Sequence, residues 1–241
     1  MGNKLIRFIK KIIRKFIPKK KKRTIYNPDG KKFYDPNKEM SFQSYFEENK
    51  EKIFQGEVPE RYKRISDVVP GNRVLEIGVG DGTQSLILSL EKEKVYAIEL
   101  MNQQFSIANK LKDTWLEKGI DVSKCEFIND DIIKRVDLFE KVDTILMSRV
   151  VYHLMENISS LFSKIKKNNI EHVVLVGCPR REERWKKYGD TGDPLGKYAF
   201  YASQEGMEKL LTEFGFSISL SIPSTKEDDP IVVGSRKLNV P

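Results

Sequence analysis

Three glycines at alternate positions, Gly78, Gly80 and Gly82, follow an apolar run broken by one acid, Glu76. Glycine lacks a Cβ and reaches positive φ without strain, so such a chain turns sharply and lets a ligand lie on its backbone. Glu99 stands 21 residues after Gly78, as the last polar residue of a second apolar run. A carboxylate at a strand tip beside a glycine turn can accept both hydroxyls of a ribose, which suits the pair to a nucleoside. Farther along come Asp130, Asp131, Ser148 and His153, then a basic, tyrosine-rich stretch with Arg180, Arg181, Arg184, Tyr198 and Tyr201. Imidazole titrates near neutral pH, so His153 is the candidate base of the set; the alternative is a structural histidine.

These residues need a scaffold that brings them to one edge. Residues 73–90, RVLEIGVGDGTQSLILSL, read as a buried parallel strand, the glycine turn, and a helix. Thr83 is the expected N-cap of that helix, with Leu86, Ile87 and Leu90 on its inner face. Residues 94–100 form a second strand, and 102–118 a helix with Phe105, Ala108, Leu111 and Trp115 inward. Strands follow at 125–133, 142–151 and 170–178. A last helix ends at Gly215, and residues 216–221 and 231–235 close the sheet. Two further helices, 41–55 and 59–69, precede all of this, the second opening with Pro59 at its first position. The alternation predicts an α/β fold: a doubly wound, Rossmann-like, seven-stranded sheet with helices on both faces.

Spacing distinguishes among glycine-rich turns. The dinucleotide fingerprint G-x-G-x-x-G would need glycine where Thr83 stands, and the Gly-Lys-Ser/Thr ending of a phosphate loop is absent. The pattern E-x-G-x-G-x-G instead resembles motif I of the class I S-adenosylmethionine-dependent methyltransferases. The pattern D-x-I-x-x-x-x-V-x-x-H-L, from Asp143 to Leu154, looks like the small-molecule and glycan-directed members of that family. It lacks the N/D-P-P-Y/F motif of DNA methyltransferases that act on amino groups. The resemblance covers residues 59–241.

The resemblance implies S-adenosylmethionine as cofactor. In that reading Glu76 meets the cationic amino end of the methionine moiety. Gly78, Gly80 and Gly82 allow backbone approach, and Glu99 holds the ribose. An acid after strand three accepts the adenine amino group; Asp131 fits better than Asp130, and a solvated loop acid or helix cap is the other reading of each. Ser148 falls in the counterpart of motif IV, where the sheet edge faces the methyl donor, and the N-terminal helices cap the cleft. The insert at 179–202 belongs at the same edge. Its arginines could bind carboxylate or phosphate and its tyrosines could stack on sugar rings, or it could be a solvated helix, with Glu183 and Lys187 paired.

Charge sets the first 23 residues apart. The chain has 43 Lys and Arg against 35 Asp and Glu, a net +8. Residues 1–32 hold 13 of the bases and a single acid, Asp29, which leaves 30 bases and 34 acids elsewhere. Residues 3–17, NKLIRFIKKIIRKFI, have a helical apolar stripe through Leu5, Ile9, Ile12 and Phe16, with Lys and Arg opposite. Pro18 stops it, and Lys19 to Arg23 continue the charge. The run is too interrupted to span a bilayer or serve as a secretory signal. It suits the interface of an anionic membrane, which would place the protein peripherally on a membrane's cytoplasmic face. Packing on the protein's own core and nuclear import are the other readings. Lipidation at Gly2 is not expected, because Ile6 occupies the Ser/Thr position.

The expected organisation is thus a membrane-surface segment at 1–23, a linker and cap at 24–58, and the catalytic domain at 59–241. The acceptor expected for a membrane-docked enzyme with a basic insert is a glycan or lipid-linked molecule. A mildly acidic domain argues against a nucleic-acid partner, since a face tracking phosphates carries its own positive stripe. An RNA methyltransferase with a basic arm and a non-catalytic donor-binding module are the rival readings. Two cysteines without C-x-x-C spacing, Cys125 and Cys178, read as free thiols of a reducing compartment, and no metal-ligand cluster is expected.

Overall fold

The computed structural model describes residues 44–168, 170–179, 198–225 and 228–236. Seven strands form one sheet: β1 (Arg73–Ile77), β2 (Lys94–Glu99), β3 (Cys125–Asn129), β4 (Thr144–Ser148), β5 (His172–Val176), β6 (Ser217–Ile222) and β7 (Ile231–Ser235). Their order is β3-β2-β1-β4-β5-β7-β6. β1 to β5 pair in parallel, and β7 runs antiparallel between β5 and β6. The doubly wound sheet expected from the alternation is therefore the one observed. Its direction of winding reverses at β1 and β4, the switch point outside which ligands of such sheets bind.

Burial follows the period of two. Leu75, Ile77, Ile145, Met147, Val173 and Leu175 face one core, while Val74, Leu146, Val174 and Val176 face the other. The first core is covered by α5 (Ile158–Lys167) and α6 (Gln204–Glu213). The second is covered by α1 (Ser44–Gln55), α2 (Glu60–Ser66), α3 (Thr83–Glu91) and α4 (Asn102–Glu117). Trp115 of α4 is fully buried and donates its indole N–H to the Ile53 carbonyl of α1 at 2.7 Å. Phe46 and Ile53 bring α1 into this same core. Among the described residues, no helix is long and apolar enough to cross a membrane. The basic segment at residues 3–23 lies outside the described residues.

Several element ends differ from expectation. Leu90 is exposed rather than turned inward, because α3 rotates it away after Leu86, Ile87 and Leu88. Pro59 occupies the cap position of α2 instead of its first turn. β3 stops at Asn129, since Asp130 and Asp131 enter a turn. β4 stops at Ser148 because Arg149 takes a φ of 56°, which no strand accommodates. Cys125 is buried and Cys178 half-buried; both are free.

Candidate active site

The glycine turn leaves β1 with Gly78, Gly80 and Gly82 all at positive φ, at 74°, 60° and 83°. Their surroundings differ. A methyl group on Gly78 would lie 2.6 Å from Val150 Cγ2, and one on Gly82 would lie 2.6 Å from the Ala108 Cβ. A methyl group on Gly80 would meet no heavy atom of the described residues within 4 Å. Gly78 and Gly82 thus serve close packing, while Gly80 presents bare backbone to open space.

Gly82 is the cap residue of α3, not Thr83. The capping carboxylate comes from Asp81, which accepts the Thr83 backbone N–H at 3.0 Å and also the Thr83 hydroxyl. Its other oxygen accepts the Tyr62 hydroxyl of α2 at 3.3 Å. Burial pushes the Asp81 carboxyl up against these hydrogen bonds, and it pushes the Tyr62 phenol up as well. Neither residue stands out in the sequence reading. The available signal was an acid two residues before a helix start, a common cap spacing.

Glu99 ends β2 with 5% of its surface exposed. One carboxylate oxygen accepts the Gly80 N–H at 3.0 Å and the other the Met101 N–H at 2.8 Å. Burial raises its pKa, opposed by these backbone donors. The second-strand acid and the glycine turn are therefore in direct contact. Asn129 donates to the Glu99 carbonyl at 2.9 Å and ties the end of β3 to the same corner.

Glu76 lies one residue before the end of β1. It shares a face with Val74 beneath α3, is 1% exposed, and accepts the Ser85 hydroxyl. Burial, with Asp81 and Glu99 nearby, pushes its pKa up to about 8 despite the Ser85 bond. Asp130 and Asp131 each cap the turn after β3: Asp130 accepts the Asp131 N–H at 2.7 Å and Asp131 the Ile133 N–H at 2.9 Å. Asp130 also stands 3.8 Å from Arg135.

At the exit of β4, half-buried Ser148 leads through Arg149 to Val150, the residue against Gly78. His153 closes the short turn Val151–His153, its N–H on the Val150 carbonyl at 2.7 Å and its ring 4.5 Å from that of Tyr152. That turn packs against Phe200–Ala202, so His153 and Tyr201 occupy neighbouring turns. Tyr198 and Tyr201 are partly buried against the first core, and burial raises both phenols. Arg180, Arg181 and Arg184 lie outside the described residues. A further group escaped the sequence reading: Arg61 and Arg64 of α2, Arg149, and Asp229 before β7 converge on one another.

No protein-family model and no curated protein sequence matches the chain. Solved structures do match its fold. Magnesium protoporphyrin IX methyltransferase from Synechocystis PCC 6803, solved with bound SAH, is 18% identical over 83% of this chain and 90% of its own, with a TM-score of 0.55. The O-methyltransferase from Bacillus cereus in complex with SAH is 16% identical over 82% and 93%, with a TM-score of 0.54. The N-methyltransferase NodS from Bradyrhizobium japonicum WM9 is 17% identical over 80% and 98%, with a TM-score of 0.52. The chain has the fold of the class I S-adenosylmethionine-dependent methyltransferases.

The glycine corner fits an adenosyl donor. Gly80 faces open space, and a carboxylate has about four lone-pair sites, of which the backbone N–H groups of Gly80, Leu100 and Met101 engage three at Glu99. Capacity for a sugar hydroxyl remains.

Proposed function

We propose that this protein is an S-adenosylmethionine-dependent methyltransferase working at a membrane surface on a hydroxyl or anionic group of a glycan or lipid-linked acceptor. The observation carrying the methyl-transfer reading is the contact of Glu99 with the Gly80 amide at the switch point of a methyltransferase fold. Glu99 holds the ribose hydroxyls, Gly80 leaves room for the nucleoside, and Glu76 sits beneath the amino end. Asp131, or Asp130 beside it, faces the adenine amino group, and Ser148 lines the donor side of the β4 exit. The donor, when bound, supplies a methyl group already activated on a sulfonium.

The remaining work belongs to the acceptor side. Holding the acceptor oxygen in line replaces a bimolecular encounter with a positioned one. His153 takes the proton from a hydroxyl acceptor; for an anionic acceptor it only orients the group. Tyr198, Tyr201 and the arginines Arg180, Arg181 and Arg184 bind the acceptor's sugar and charge. The cationic amphipathic stretch at residues 3–23 supports the membrane part of the reading, because its lysines suit anionic headgroups and its apolar stripe suits the acyl boundary.

The experiment is transfer of a radiolabelled methyl group from S-adenosylmethionine to separated lipid, glycan, RNA and protein fractions. Label in a lipid or glycan fraction supports the reading. Label confined to RNA replaces the acceptor class, and donor binding with no labelled fraction contradicts catalysis. In the productive fraction, His153→Ala is expected to lower turnover by about two to four orders of magnitude with donor affinity kept.

A further inference from the structure

Asp229 is 2% exposed, yet its carboxylate is the meeting point of two elements that wall the glycine turn. Arg149 grips it with both ends of its fork, Nε to Oδ2 at 3.0 Å and Nη2 to Oδ1 at 2.5 Å. Arg61 of α2 stands 3.0 Å from Oδ2. Arg64 donates to the Asp229 carbonyl at 2.5 Å and pairs with Asp228 at 2.7 Å.

Arg149 is one of two described non-glycine residues at positive φ. That conformation crowds the Cβ against the following carbonyl, so it persists only where the surroundings impose it. Here a bidentate bond to a buried carboxylate and the Arg149 N–H on the Val176 carbonyl at 2.8 Å impose it. The next residue is Val150, whose Cγ2 occupies the space a side chain at Gly78 would need. On the other side of the turn, α2 delivers the Tyr62 hydroxyl to Asp81.

We propose that Asp229 is a positioning residue for the donor turn: through Arg149 it fixes the left-handed backbone that seats Val150 on Gly78. The inference rests on the donor-binding reading above. A residue remote from the turn in sequence thereby governs donor affinity without touching the donor.

The test uses S-adenosylhomocysteine as the probe, titrated by calorimetry into the full chain, with thermal unfolding measured on each variant. Arg149→Ala removes the fork and keeps a Cβ at positive φ; Arg149→Gly removes the same fork and adopts that φ without strain. The Ala variant is expected to bind at least about tenfold more weakly than the unaltered protein, and the Gly variant to stay within about threefold of it. A purely stabilising ion pair predicts no such separation, because both variants lose it equally. Asp229→Asn, if folded, is expected to behave like Arg149→Ala. Equal affinities in the two Arg149 variants, or an unchanged affinity in folded Asp229→Asn, overturn the proposal. If the unaltered protein takes up no probe, the donor-binding reading fails and this inference with it; if it binds and the Arg149 variants do not separate, this inference alone fails.

Discussion

Glu76 and Glu99 stand at the ends of neighbouring strands, but their carboxylates meet different partners. Glu99 has the backbone N–H groups of Gly80, Leu100 and Met101 to steady its charge, whereas Glu76 has one hydroxyl, full burial and two acids nearby. Its pKa of about 8 means that the folded protein holds a proton there which the unfolded chain releases near pH 4.5. Folding stability from this group is therefore present below pH 4.5 and is lost as pH rises through about 8. Urea unfolding of the donor-free protein at pH 5 and pH 9 is expected to show this loss, on the order of a few kcal/mol. Glu76→Gln is expected to flatten it; an equal slope in the variant would assign the loss to other groups. The carboxylates at Glu76 and Glu99 were legible in the sequence because each follows an apolar run. Arg149 and Asp229 were not, since their roles come from contacts between residues far apart in the chain, while Asp81 carried only the local spacing of a cap.

At the scale of elements, the strand–turn–helix unit from β1 to α3 could be read almost whole, because burial on both faces gives a continuous apolar strand and three glycines mark its end. Strand ends were less legible. The apolar run past β4 continues through Val150 and Val151, and only a left-handed Arg149, set by tertiary contacts, cuts it short. The turn also carries a prediction that separates its glycines. Gly78→Ala is expected to destabilise the protein by about 2 kcal/mol or more, since strain adds to the clash with Val150. Gly80→Ala pays only the conformational part, about 1 kcal/mol, yet is expected to bind donor at least about tenfold more weakly because its methyl enters open space. Thermal unfolding beside S-adenosylhomocysteine titration checks both, and a Gly80→Ala protein with unaltered affinity would move the nucleoside elsewhere.

For the whole molecule, a mildly acidic domain follows a strongly basic first segment, and the two call for separate tests. Removing residues 1–23 is expected to abolish sedimentation with vesicles of anionic lipid and to leave donor affinity unchanged. Truncated protein that still sediments would return the membrane contact to the domain. The claim on which the rest depends is that an adenosyl donor lies at the Gly80 corner with its ribose on Glu99. Calorimetric titration of S-adenosylmethionine into the full chain and into Glu99→Gln tests it directly. The account predicts saturable one-site binding to the unaltered protein and at least about tenfold weaker binding to a Glu99→Gln protein that remains folded. No heat with the unaltered chain, or equal affinity in the two, would contradict it.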